Sequence, residues 1–173
     1  TSGAGTYPIS VAGGTLSAPN YDFTFTNGVL TVDKAVVNVI AENKSRTYGV
    51  ANPSFTARYE GLVLGQNALS SGITGTPAFN TDAVVSSPAG SYPIKASAGS
   101  LSSGNYNFNF INGTLSVNKA VLSVIAQSKS KVYGEANPAL TYVYSGFVNE
   151  ETLASSGITG QPVITTTVTT STG

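Results

Sequence analysis

Two hexapeptides share one frame, Tyr48-Gly49-Val50-Ala51-Asn52-Pro53 and Tyr133-Gly134-Glu135-Ala136-Asn137-Pro138. An aromatic ring beside an amide side chain suits sugar recognition, whereas Gly, Asn and Pro in one short stretch suit a backbone corner. Proline fixes φ, Asn52 can bond its own backbone, and Gly49 can take a positive φ closed to other residues. The exchange of Val50 for Glu135 places an apolar and a charged residue at one position, which predicts exposure. The frame therefore reads as a corner, with Tyr48, Gly49, Asn52, Pro53, Tyr133, Gly134, Asn137 and Pro138 as a structural signature.

The other candidates for chemistry are weaker. Lys34 and Lys119, preceded by Asp33 and Asn118, would suit a lysine to asparagine isopeptide bond if a buried carboxylate stood beside them. Asp33 and Glu42 have neutral counterparts, Asn118 and Gln127, so solvated linker lysines are the favoured reading. A calcium site at the same place meets the same objection, because hard cations want converging carboxylates. The chain has no His or Cys, which removes imidazole bases, thiolate nucleophiles and the common zinc ligand sets. No activated pair of Ser, Thr, Tyr or Lys stands out, so neither an enzyme nor a cofactor is expected.

Nine tyrosines would make a stacking surface for glycans. Their places on alternating strands or beside turns favour core and corner tyrosines, with the ring covered and the hydroxyl on a backbone partner. Eight Lys plus Arg balance eight Asp plus Glu, and only 9% of residues are charged, so nucleic acid is not an expected partner. Apolar runs are short, and membrane insertion is not expected either. Thr1 to Ile9 lacks the form of a signal peptide, so any export signal of the parent would lie elsewhere. The threonine-rich close, Thr165 to Gly173, reads as a polar, β-prone loop strand.

The elements that must position these residues repeat. A shift of about 85 positions superposes Tyr7-Pro8-Ile9 on Tyr92-Pro93-Ile94, Asn27-Gly28 on Asn112-Gly113, and Tyr48-Gly49 on Tyr133-Gly134 without a gap, with about half the positions identical. The chain is therefore expected to divide into residues 1–34, the closing half of a repeat, residues 35–119, a whole repeat, and residues 120–173, the opening half of the next. Such a piece looks cut from a longer array. Its half repeats would leave unpaired strand edges that invite self-association.

Within a repeat the pattern is β throughout. Ala35 to Ala41 and Ala120 to Ala126 are rich in β-branched residues, and Tyr21, Phe23 and Phe25 alternate with Asp22, Thr24 and Thr26. The following Asn27-Gly28 predicts a hairpin with a type I′ turn, and Asn112-Gly113 predicts the same. Phe55, Ala57 and Tyr59 mark another strand, as do Leu140, Tyr142 and Tyr144. Pro93 suits the start of a strand or a sheet edge. Asn149 could cap one helical turn running to about Ser155, with a weaker equivalent near Asn67. The expected fold is all-β: tandem small sandwiches of immunoglobulin-like type, with β-grasp modules as the alternative. Asp33, Lys34, Asn118 and Lys119 form inter-repeat linkers too short to act as hinges.

The ordered set of Lys-Ala-Val, Tyr-Gly-x-Ala-Asn-Pro, Tyr-Pro-Ile and Asn-Gly-x-Leu-x-Val resembles the MBG domains, glycine-rich β modules found in tandem in very large bacterial surface adhesins. The resemblance covers essentially the whole chain. It implies an extracellular or cell-surface stalk that projects a distal binding domain and bears load, with neighbouring repeats of the same long chain as partners. The alternative is a module that itself binds glycan or mucin. Differences between the copies, such as Arg58 against Val143 and Asn67 against Thr152, are dispersed, which favours the stalk.

Overall fold

A computed structural model describes residues 2–168. The structure is all-β, and among the described residues there is no helix. The strands are Gly5–Ile9 (β1), Gly28–Val32 (β2), Ala35–Ala41 (β3), Lys44–Thr47 (β4), Ala57–Glu60 (β5), Ala78–Asn80 (β6), Gly90–Ser97 (β7), Tyr106–Ile111 (β8), Gly113–Asn118 (β9), Ser123–Ala126 (β10) and Tyr142–Ser145 (β11).

The middle stretch, from β3 to β9, forms two sheets, one ordered β5-β3-β8 and one ordered β4-β9-β7-β6. Its β-branched opening strand lies between two neighbours. It runs antiparallel to β5, with Asn38 opposite Glu60, and parallel to β8, from Ala35 opposite Tyr106 to Ile40 opposite Ile111. Successive side chains point to opposite faces of the sheet: Val37, Val39 and Ala41 are buried while Val36 is exposed.

Asn112-Gly113 is not the hairpin turn the sequence suggests. β8 and β9 follow each other across Asn112 alone, yet they belong to different sheets, and neither Asn112 nor Gly113 has a positive φ. β3 and β4 change sheets in the same way across Glu42-Asn43. The two crossings are tied, because Asn43 Oδ1 accepts from the Thr114 amide at 2.8 Å, and Asn112 Oδ1 accepts from the Ala96 amide of β7 at 3.1 Å. A Cβ on Gly113 would sit 2.6 Å from the carbonyl oxygen of Ala41. Glycine is needed there for close approach of two backbones, a different use from the turn that Asn-Gly usually signals.

Pro93 also departs from expectation, lying inside β7. β6 pairs only with Lys95–Ser97, so the missing amide of Pro93 falls beyond the reach of that neighbour. The helical turn does form, but it is capped elsewhere. Asn149 has φ +53° and lies outside it; Thr152 and Ser155 close the turn, with the Thr152 amide donating to Ser155 Oγ at 2.8 Å. The equivalent turn is as well made, since Asn67 Oδ1 accepts from the amides of Leu69 and Ser70 at 3.0 Å each.

The flanking stretches form smaller sheets, β1 with β2 and β10 with β11. Tyr21 to Thr26, expected as a strand, takes no strand in the structure. Of the closing threonine-rich stretch, Thr165 to Val168 carries no strand, and its remainder lies outside the described residues.

By contacts the chain separates into two compact units, a division different from that of the sequence repeats. One comprises the run up to Lys44, Ser54–Thr81 and Pro93–Thr114; its buried apolar residues are Val37, Val39, Ala41, Ile94 and Tyr106. The other comprises Ser45–Pro53, Asp82–Tyr92 and the described residues from Leu115 to Val168, with Ala83, Leu115 and Val117 buried.

Candidate functional site

The Tyr-Gly corner begins where β4 ends. The Val50 amide donates to the Thr47 carbonyl at 3.1 Å, and Gly49, third of these four residues, has φ +82°. That is the pattern of a type II turn, in which the third position needs a left-handed conformation. The second copy repeats it, with Glu135 bonded to Val132 at 3.1 Å and Gly134 at φ +89°. Val50 and Glu135 are both exposed, as their exchange suggests.

Asn52 does not bond its own backbone. Its Nδ2 donates to the carbonyl of Ala83 at 2.7 Å, and its Oδ1 accepts from Arg46 Nε at 2.7 Å. Arg46 is buried on β4 and spends the rest of its guanidinium on carbonyls, with Nη1 at 3.3 Å from Thr47 O and 3.4 Å from Val85 O, and Nη2 on Val84 O. The planar fork serves several acceptors at once and pins the Ala83 to Val85 segment beneath the corner. In the second copy Asn137 Nδ2 reaches the equivalent carbonyl, Val168 O, at 2.7 Å. Lys131 replaces the arginine and, among the described residues, donates to Glu135 O at 3.0 Å. A single ammonium cannot reproduce the fork, and a cavity of about 130 Å³ between Lys131, Asn137 and Val168 lies beside it.

Sequence reasoning missed Arg46. The available signal was a cation at the same repeat position, Arg46 and Lys131, in a chain with few charges.

The first corner also meets the start of the following repeat, within the second compact unit. A Cβ on Gly49 would fall 2.6 Å from Cβ of Val148. Beside that contact the Tyr48 hydroxyl donates to Glu151 Oε1. A cavity of about 540 Å³ opens there, lined among others by Tyr48, Lys119, Leu122, Phe147, Glu151 and Ile158. The Tyr48 amide takes the Asn118 carbonyl at 2.8 Å, which ties the linker to the corner.

At the earlier linker, within the first unit, Lys34 Nζ donates to Ser103 O at 2.8 Å while the side chain stays exposed. The Ala35 amide donates to Asn105 O at 3.0 Å, and Asn105 Oδ1 accepts from the Ala4 amide at 2.9 Å. Asp33 is exposed and lines a cavity of about 240 Å³ with Val32, Val63, Gln66 and Tyr106. The Tyr106 hydroxyl donates to Gln66 Oε1 and accepts from the Val63 amide at 3.2 Å. Gln66 and Glu151 are repeat equivalents, so one neutral and one charged side chain each receive a tyrosine hydroxyl.

The tyrosines divide. Tyr7 and Tyr92 are corner tyrosines whose hydroxyls donate to carbonyls four residues earlier, Gly3 O at 2.7 Å and Pro88 O at 2.8 Å. Tyr106 is core. Tyr21 and Tyr133 are exposed, contrary to the core and corner expectation. Partial burial raises the phenol of Tyr59 above its ordinary value, and the same cause, with neighbouring Tyr142, raises that of Tyr144.

Glu42 is held below the usual carboxylate range, first by the hydroxyl of Thr56 and then by Lys44, whose Nζ is 3.2 Å away. Gln127 takes its place in the other copy and accepts from Thr141 Oγ1 at 2.6 Å. Because an uncharged amide does the same work, the group is a brace between strands. Among the described residues no group of three or more His, Cys, Asp or Glu is gathered to hold a metal ion.

The family model for the MBG domain, YGX type, matches residues 1–31, 37–116 and 122–173. No curated protein and no solved structure matches the chain.

Proposed function

Because the chain belongs to the family of YGX-type MBG domains, we propose that it is a load-bearing spacer of a large bacterial surface adhesin. Its repeats, 1–34, 35–119 and 120–173 in this reading, hold a distal binding domain away from the cell and have neighbouring repeats of the same chain as their partners. The protein is extracellular, works without a cofactor and catalyses no reaction.

One observation carries the reading: Tyr48, Gly49 and Asn52 of the first corner, which recur in the second copy, are spent on cohesion. Gly49 is filled by Val148, Tyr48 binds Glu151, and Asn52 binds a carbonyl and a buried arginine. Contacts of this kind beside a linker without Gly or Pro oppose bending where a spacer would otherwise flex. Three of the positions exchanged between copies, Val50, Arg58 and Asn67 against Glu135, Val143 and Thr152, are exposed in both, which fits a shared scaffold with a neutral surface. A dedicated ligand site would instead gather its differences in one patch.

Small-angle X-ray scattering of arrays with two, three and four whole repeats tests this. The maximum dimension should rise by a constant increment per repeat. An increment that shrinks with each addition would mean flexible joints and would sink the rigid spacer. Binding of a single repeat to a glycan array would favour the recognition module instead.

A further inference from the structure

Within the whole repeat, β5 is the last strand of the sheet β5-β3-β8: one side pairs with β3, and among the described residues no strand pairs with the other. Its counterpart β11 ends its sheet in the same way, beside β10. The Glu42 amide donates to the Thr56 carbonyl at 2.8 Å, continuing the register in which Ala41 faces Ala57. Main-chain groups alternate in direction along a strand, so Thr56, Arg58 and Glu60 turn theirs to β3 while Ala57 and Tyr59 turn theirs outward. Side chains alternate as well. Arg58 and Glu60 are exposed on one face, and Ala57 and Tyr59 are half-buried on the other.

We propose that β5 pairs antiparallel with β5 of a second copy of this chain about a two-fold axis at Tyr59, with Tyr59 opposite Tyr59 and Arg58 opposite Glu60. Side-by-side pairing of this kind goes beyond the spacer reading and does not depend on it. Main chain and charge agree in this register. The outward amides and carbonyls of the facing Tyr59 residues bond each other, and Arg58 lies across from Glu60 at a non-hydrogen-bonded pair, where opposed side chains stand closest. A two-fold contact must be self-complementary, and opposite charges two residues apart on one strand meet that condition. Strand addition to a bare edge supplies the main-chain hydrogen bonds, and alternate side chains set the register.

Charged side chains on an edge strand ordinarily oppose pairing. Here they select among registers instead. An axis one residue earlier would set Arg58 against Arg58, and one residue later would set Glu60 against Glu60, so only the axis at Tyr59 brings opposite charges together. In the single copy Arg58 Nη2 stands 3.2 Å from Glu60 Oε1 with both side chains about half exposed, a bridge of the kind that contributes little in water. Pairing gives each of these groups a second opposite charge. The edge of β11 carries Val143 and Ser145 in their places, so the charge-set register belongs to β5.

In sedimentation velocity the full chain should run at 17.6 kDa when dilute and approach twice that mass as its concentration rises. Arg58→Glu and Glu60→Arg should each leave the unfolding curve of the dilute protein unchanged and raise the concentration for half-association at least about tenfold. Mixing the two variants should restore association, because every Glu then faces an Arg. The chain has no cysteine, so register can be read by oxidation: Arg58→Cys chains mixed with Glu60→Cys chains should cross-link, and neither variant alone should, since its cysteines are not opposed. A protein that stays at 17.6 kDa throughout overturns the proposal. So does association that both charge reversals leave intact, a mixture that fails to restore it, or cross-linking as complete in either cysteine variant alone as in the mixture.

Discussion

Residues 106–111 and residues 21–26 carry the same alternation of one tyrosine and two phenylalanines in two different conditions. The first is a strand with Tyr106 at 3% exposure; the second is not a strand, and Tyr21 is 76% exposed. The contrast extends through the repeat. Leu115 is fully buried where Leu30 is 53% exposed, and buried Val37 and Val39 correspond to half-buried Leu122 and exposed Val124. Local β preference is equal in the two places, so what differs is the neighbouring strand. A strand's stability resides in cross-strand pairs and in burial against the facing layer, and neither is local.

The largest test of that contrast is in the core. Leu115→Ala should lower stability by about 2–5 kcal/mol, whereas Leu30→Ala should cost less than about 1 kcal/mol, because only the first leaves a cavity. Urea denaturation of each variant measures the difference. Equal losses would mean that the flanking stretch is as well packed as the middle.

A smaller contrast lies at the two corners. Gly49 and Gly134 share the left-handed conformation, which costs an alanine about 1–2 kcal/mol. Gly49 also faces Val148 at 2.6 Å, while Gly134 has nothing within 4 Å. Gly49→Ala should therefore exceed Gly134→Ala by roughly 1–3 kcal/mol of overpacking, read as separate shifts of the thermal midpoint. A common shift would show that the backbone conformation alone decides.

The smallest effect is electrostatic. Glu42 titrates below its reference value of 4.5 in the folded state. A depressed carboxylate contributes stability that is fully present above its unfolded pKa and is lost as pH falls through the folded one. Acidification from about pH 5 to below the lowered value should thus cost a small amount of stability, and Glu42→Gln should remove that dependence. Gln127, which does not titrate, already shows the amide in that role. An unchanged acid profile in the variant would assign the effect to other carboxylates.

Much of the fold was legible in the residues. The β-branched run of Ala35 to Ala41 located a strand, and the positive φ of Gly49 and Gly134 follows from their place in the corner. The helical turn was legible too, although its cap lies at Thr152 and not at Asn149. Asn112-Gly113 was misread because local chemistry is the same for a tight turn and for a crossing between sheets. Only the Ala41 carbonyl, distant in sequence, distinguishes them. The role of Asn52 was missed for a similar reason, since both Arg46 and the Ala83 carbonyl come to it through folding.

The sequence by itself determined the strand class, the repeat and its register, because period-two patterning and tandem identity are written in order along the chain. Tertiary structure decided which strands become complete. Closing a sheet needs a second backbone at hydrogen-bonding distance, and its arrival depends on residues some seventy positions away, as with Asn38 and Asn109.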